Sequence, residues 1–270
     1  MRYLDPKNDL TFKKVFGEHP HILKSFLNAV MPLAEGKKIV SLEYLPAELV
    51  PEIPMFANSI VDVRCIDEKG QQFIVEMQMA WTDSFKNRML FNSCKAIVTQ
   101  LEKGSHYSTL QPVYALAILD ATFDDSASYY HHYQIISEQS SNRVLEGLEM
   151  VFVELPKYDS KQTKSLKEAW LWFLKDAGKN TVAPAIIAKT PEIAKALQLA
   201  EESTYNPAQL EMYDRYWDHV SRERTLKEES FAKGELKGKA EGKAEGKNEA
   251  LELMIASGIP EDSARRILKL

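Results

Sequence analysis

Five stretches of the chain, SIVDVRCI, QFIVEMQM, PVYALAIL, YYHHYQII and LEMVFVEL, are rich in Val, Ile, Tyr and Phe and are bounded by turn-forming residues, so each predicts a strand. The first two alternate with period two on either side of DEKG, and PVYALAIL is apolar at nearly every position, as a central strand buried on both faces must be. KIVSLEYL reads as a further strand, and prolines 46, 51 and 54 mark an irregular connection after it. Helical spacing takes over elsewhere. Asp9 is expected to cap a first turn bearing Phe12, Val15 and Phe16, Gly17 ends it, and Pro20 opens a second helix with Ile22, Leu23, Phe26 and Leu27 on one face. SFKNRMLFNSCKAIVTQLEKG predicts a helix ending at Gly104, with Phe85, Met89, Phe91, Cys94, Val98 and Leu101 inward and Arg88, Asn92, Lys95 and Thr99 on a polar stripe. Strands, then a helix, then an apolar strand imply a mixed α/β sheet.

From about Thr163 the strand signal stops, and SLKEAWLWFLKDAG, PEIAKALQLAEEST and NPAQLEMYDRYWDHVSRERTLKEES predict helices, the last two opened by Pro191 and by Asn206-Pro207. KGELKGKAEGKAEGKNEA repeats glycine at 234, 238, 242 and 246. Glycine costs about 1 kcal/mol against alanine inside a helix. The segment is therefore either a partly helical spacer or a helix that associates along its glycine stripe. LELMIASGIPEDSARRILKL predicts two short helices broken at Gly258 and Pro260. The expected organisation is a core over 1–160, a helical region over 161–226, the charged repeat over 227–250 and a short helical ending over 251–270.

Net charge is −5, from 34 basic and 39 acidic residues, so no global positive field is available to hold a polyanion and any nucleic-acid contact must be local. The opening MRYLDPKNDLTFKK has no apolar targeting core, and no run approaches the ~18 apolar residues of a membrane span, so the expected address is the cytoplasm. Cys65 and Cys94 lack metal-ligand spacing and sit among apolar neighbours, which predicts two buried, reduced thiols.

The chemistry concentrates in VDVRCIDEKGQQFIVEMQM, Val61 to Met79. If Asp67 to Gln71 make the turn, Ile66 pairs with Gln72 and the same register sets Asp62 opposite Glu76, with Gln78 on the same face; the other face, Val61, Val63, Cys65, Phe73, Val75, Met77 and Met79, is core. Opposed residues have Cβ atoms about 5 Å apart, where like charges repel unless compensated. A divalent cation compensates them. A hairpin with one wet face alternates in the same way, and Arg64 beside Asp62 then serves as an ordinary solvated partner. Trp81 and the apolar neighbours of Glu76 favour a sheltered cleft.

Asp62 followed by Glu76-Met77-Gln78 resembles the D…(E/D)xK signature of the PD-(D/E)XK nuclease superfamily, and in particular its transposase-like, recombination-promoting branch, in which ExQ often replaces ExK. The opening DPKNDLTFKKVFG, the helix FKNRMLFNSCKAIVTQLEKG, the strand after it and the glycine-and-charge tail resemble that branch too. The resemblance implies a restriction-endonuclease-like mixed sheet flanked by helices and Mg²⁺-dependent cleavage of DNA phosphodiesters, with Mn²⁺ or Ca²⁺ as alternative ions. It implies Asp62 and Glu76 as metal ligands and Gln78 in the lysine position. An amide supplies a dipole where lysine supplies charge, so Arg88 and Lys95 are the expected cations and DNA contacts, and Asp9 or Glu18 the auxiliary acid. Recombination, mobile-element spread and phage defence would all use this chemistry, and the tail is a candidate homodimer contact. The alternative is a nuclease-derived DNA-binding or protein-interaction module in which catalysis is weak. Other signals carry less: His131 and His132 are adjacent, so on a strand they face opposite sides, and Trp170, Trp172, Phe173 and Leu174 read as core.

Overall fold

A computed structural model describes residues 2–49, 59–101, 104, 106–179 and 183–270. It divides into two compact units, Met1–Tyr216 and Trp217–Leu270. Pro51 and Pro54, expected in an irregular connection, lie outside the described residues.

The first unit is built on a six-stranded sheet in the order β1-β4-β5-β6-β8-β7, with β1 Leu42–Tyr44, β4 Val63–Asp67, β5 Gln72–Gln78, β6 Val113–Leu119, β7 Tyr130–Ser137 and β8 Ser140–Glu154. Two short strands, β2 (Glu48–Leu49) and β3 (Ser59–Ile60), pair separately. β6 runs parallel to β5 and β8 on either side of it, while the outer pairs are antiparallel, so the sheet is mixed. All seven residues of β6 are buried, as a strand covered on both faces requires. The expected α/β class, a restriction-endonuclease-like sheet between helices, is the one observed.

One face of the sheet, carrying Val63, Cys65, Phe73, Val75, Leu116, Ile118, Val151 and Val153, packs with the N-terminal helices and with α4 (Leu166–Asp176) and α6 (Pro191–Ala200). The N-terminal part is α1 (Asp9–Phe12), continued by a π-turn over Lys13–Gly17, and then α2 (Pro20–Val30). Phe16 is central, with ring centroids 4.9 Å from Phe12, 4.8 Å from Phe26 and 5.7 Å from Trp170. Trp170, Trp172, Phe173 and Leu174 are core, as their helical spacing predicted. The cap of α1 is Asn8, whose side-chain oxygen accepts from Leu10 N–H at 3.0 Å; Asp9, expected there, is the first helical residue instead. α4 continues into a 3-10 turn, Ala177–Lys179, and a short helix, α5, spans Ala185–Ala188. Gly178 lies against the N-terminal segment: a Cβ there would stand 2.7 Å from the Cα of Asp5. Gly178→Ala is therefore expected to destabilise the fold by about 1–3 kcal/mol, read as a lowered thermal midpoint.

The other face is covered by α3, Asp83–Val98. It buries Phe85, Met89 and Ala96 against Ile74, Ala115, Ala117, Leu119 and Phe152. Two expectations fail here. The helix stops before Gly104, because Gln100 leaves it to form a reciprocal pair with Gln111: Gln100 Nε2 donates to the Gln111 carbonyl at 3.1 Å and Gln111 N–H donates to Gln100 Oε1 at 2.8 Å. Its buried face is also rotated. Phe91 and Val98 are 48% and 72% exposed and Cys94 is exposed, whereas Asn92, Ser93 and Ala96 are buried. Small alanines on the β6 floor let the helix lie close, and its inward polar residues have partners, Asn92 at Glu76 on β5 and Ser93 at the Met89 carbonyl of α3 itself. Cys65 is buried, as expected.

In the chain's C-terminal half, α7 runs without interruption over Pro207–Ala256 and takes in the entire glycine repeat. Ion pairs at i,i+4 line it, among them Glu235 with Lys239 and Glu241 with Lys237, and each offsets a few tenths of a kcal/mol of the glycine cost. Gly258, at φ +89°, ends the run, and α8 (Glu261–Leu268) turns back so that the Lys247 ammonium donates to the Lys269 carbonyl at 2.9 Å. No described helix is long and apolar enough to cross a membrane.

Candidate active site

The hairpin of β4 and β5 closes as its pattern required. Asp67 organises the turn: its carboxylate accepts from Lys69 N–H at 2.9 Å and Gln71 N–H at 2.8 Å, and Gly70 takes φ +82°. Ile66 pairs with Gln72 and Val63 with Val75, so Asp62, one residue before β4, stands across from Glu76. The Asp62 carboxylate bridges the two arms, accepting from Met77 N–H at 2.6 Å. Arg64 does not pair with Asp62; it turns to Gln72 at 2.8 Å and Thr99 at 3.3 Å. The face bearing the acids is not wet, because α3 covers it and Glu76 is only 5% exposed.

α3 meets this face through two polar residues one turn apart. Asn92 Nδ2 donates to Glu76 Oε1 at 3.2 Å, and Arg88 Nη2 donates to Gln78 Oε1 at 2.7 Å. Four helical residues rise about 6 Å and two strand residues about 6.8 Å, so Arg88 and Asn92 match Gln78 and Glu76 in spacing. Arg88 Nη2 also lies 3.9 Å from Glu76 Oε2.

Burial, followed by the charge of Asp62, pushes the Glu76 carboxyl up to about 7, with Arg88 and Asn92 opposing. Asp62 is raised too, by burial first, with Asp9 adding repulsion and the Met77 N–H, Lys13 and Arg88 opposing. Asp9 thus acts on Asp62, while itself bridged to Lys13 at 2.9 Å. Glu18 acts elsewhere, on Lys14, Tyr44 and Tyr205. The Lys95 ammonium lies 4.9 Å over the Phe91 ring. Two residues were not anticipated at the site. Asn92 is one; its signal was the i,i+4 step from Arg88. Tyr216 is the other: burial, then the charges of Asp9, Asp62, Asp5 and Asp120, raise its phenol above the ordinary range, and nothing local in the sequence ties it to residues ~150 positions away. His131 and His132 separate as predicted, His131 to Glu154 at 3.0 Å and His132 to Glu149 at 2.8 Å.

A mixed sheet with an opposed acidic pair at the C-terminal end of a parallel strand, roofed by a helix, makes this a nuclease-like protein of the restriction-endonuclease-like class. The chain belongs to the PD-(D/E)XK nuclease family transposases, whose family description it matches over residues 6–226. Comparison with curated proteins and with solved structures returns no match.

PD-(D/E)XK nucleases commonly use divalent metals. The residues present fit such an ion. The pair is all-oxygen and hard; Met77 N–H meets Asp62 and the Asn92 amide meets Glu76, while Arg88 stands beyond ordinary hydrogen-bond reach of Glu76. Among the described residues no group of three or more His, Cys, Asp or Glu is disposed to hold a metal.

Proposed function

We propose that the chain is a Mg²⁺-dependent DNA endonuclease, with Asp62 and Glu76 as metal ligands. The observation that carries this reading is the opposed acid pair, Asp62 half-buried and Glu76 buried, in which Glu76 is raised to about 7. Two carboxylates held together at that electrostatic cost have a use when a cation joins them. Mg²⁺ bound there supplies a water of lowered pKa and a Lewis acid for the phosphoryl oxygen. The protein's own part is orientation: Met77 N–H fixes Asp62, Asn92 fixes Glu76, and the α3 roof limits access of bulk water. Asp9, which acts on Asp62 from the first turn of α1, is the auxiliary acid in this reading. DNA is the substrate, the cytoplasm the setting, and transfer or destruction of mobile or phage DNA the role. A homodimer through the glycine-striped tail would bring two such sites to one duplex.

The test is direct. Purified protein incubated with supercoiled plasmid and Mg²⁺ is expected to yield nicked and then linear DNA, and EDTA to stop it. A protein that binds duplex but leaves plasmid intact in both Mg²⁺ and Mn²⁺ would instead be the DNA-binding module.

A further inference from the structure

Gln78 stands in the lysine position of the resemblance, and both ends of its amide are already used. Its Nε2 donates to the Ala80 carbonyl at 2.8 Å and its Oε1 accepts from Arg88 at 2.7 Å. The chemistry of the partners fixes this orientation. A carbonyl only accepts and a guanidinium only donates, so turning the amide over would break both bonds.

Arg88 is held from three directions. Gln78 grips Nη2, Glu76 attracts the same nitrogen from 3.9 Å, and the guanidinium carbon lies 4.9 Å over the ring of Phe85, itself a core residue. About half of the Arg88 side chain is nevertheless exposed, 51%, beside the buried Glu76 and the half-buried Asp62 and Gln78. Its contacts with the pair use Nη2, so the fork retains Nε and Nη1 donors. A planar, permanently charged group with donors to spare, immobilised beside an acid pair, is suited to a phosphate oxygen.

We infer that Arg88 is the phosphate-binding cation of this site and that Gln78 is a positioning residue, acting on the substrate only through Arg88. The inference rests on the nuclease reading for its substrate, a DNA phosphate. The chain thereby divides between two elements what one lysine would do: β5 provides the bracket and α3 the charge.

A double-substitution cycle with Gln78→Ala and Arg88→Gln tests it. Loss of the cation is expected to slow plasmid cleavage on the order of a hundredfold, and Gln78→Ala to slow it less. The double variant is expected to match Arg88→Gln alone, because a bracket has no effect once its cation is gone. Losses that multiply in the double variant would overturn the inference, since Gln78 would then act independently. Guanidinium ion added to Arg88→Ala is expected to restore part of the rate with Gln78 present and none with Gln78→Ala; equal rescue in both would count against the bracket. A second readout needs neither metal nor cleavage. In EDTA, the salt dependence of duplex binding by the full chain should lose a slope of about 0.9 on Arg88→Gln, one phosphate contact. An unchanged slope would refute the phosphate role. Absence of cleavage by the wild-type protein overturns the nuclease reading alone, and the binding slope still decides the part of Arg88.

Discussion

Glu76→Gln is expected to reduce plasmid cleavage about a thousandfold or more while raising the thermal stability of the metal-free protein at pH 8. The substitution keeps side-chain length and keeps an oxygen for the Asn92 amide, which stands 3.2 Å away, but it removes the charge that an ion needs. A thousandfold loss corresponds to ~4 kcal/mol, the scale of metal-borne transition-state stabilisation. The stability change has the opposite sign. Glu76 is raised to about 7 by burial and by Asp62, against an ordinary carboxyl value of about 4.3. The folded state therefore favours the protonated form. That advantage is complete below the ordinary value and disappears as pH rises through 7, so at pH 8 the wild-type protein carries a buried charge that costs roughly 1–3 kcal/mol. Glutamine removes this cost. Thermal midpoints in EDTA should rise by a few degrees at pH 8, with the gain shrinking toward pH 4. A variant that still cleaves, or that gains nothing at pH 8, would show that Glu76 is neither ligand nor strained.

The Asp62–Glu76 relation was readable from sequence because a hairpin has few degrees of freedom. DEKG gave the turn, period two gave the faces, and a one-residue slip would have exposed Val63, Cys65, Phe73 and Val75. β6 was readable for a similar reason, since a continuous apolar run admits few places other than a sheet centre. The face of α3 was not. Periodicity ranks residues by hydrophobicity, but this helix sits over a buried carboxylate, and Asn92 and Ser93 turn inward while Phe91 and Val98 turn out. Local chemistry overrode the pattern at the point where the site lies. The end of α3 and the cap of α1 were decided by single hydrogen-bonding side chains, Gln100 and Asn8. Tyr216 comes under the charge of Asp62 only through the tertiary fold. The glycine repeat was a contest of small opposing terms, glycine cost against i,i+4 pairing, and the observed continuous helix is an outcome composition alone did not decide.

The second large effect is expected at a different acid. Glu154→Ala should destabilise the first unit by roughly 3–5 kcal/mol, the scale for breaking a buried, hydrogen-bonded charge cluster. Glu154 ends β8, is fully buried, and collects donors from three segments: Phe123 and Asp124 N–H from the loop after β6, His131 from β7, and the Lys157 ammonium from the turn that follows. Burial alone would raise its carboxyl. The bonds from Lys157, Phe123, His131 and Asp124 outweigh burial and hold it below the ordinary value. The sign of the pH effect follows: its stabilisation is fully present above the ordinary carboxyl range and is lost as pH falls through the depressed value. Denaturant midpoints of wild type and Glu154→Ala should therefore differ widely at pH 7 and converge near pH 3; a constant difference would place the effect in packing instead. Phe123, fixed by Glu154, stacks on Trp81 at 4.5 Å in the connection between β5 and α3, so this clamp also steadies the approach to Gln78. Two glutamates on the strands that flank β6, Glu76 on β5 and Glu154 on β8, thus respond oppositely to pH for one physical reason. Glu154 has enough donors to offset its burial, and Glu76, with one amide and a distant guanidinium, does not, which leaves it the better place for a cation.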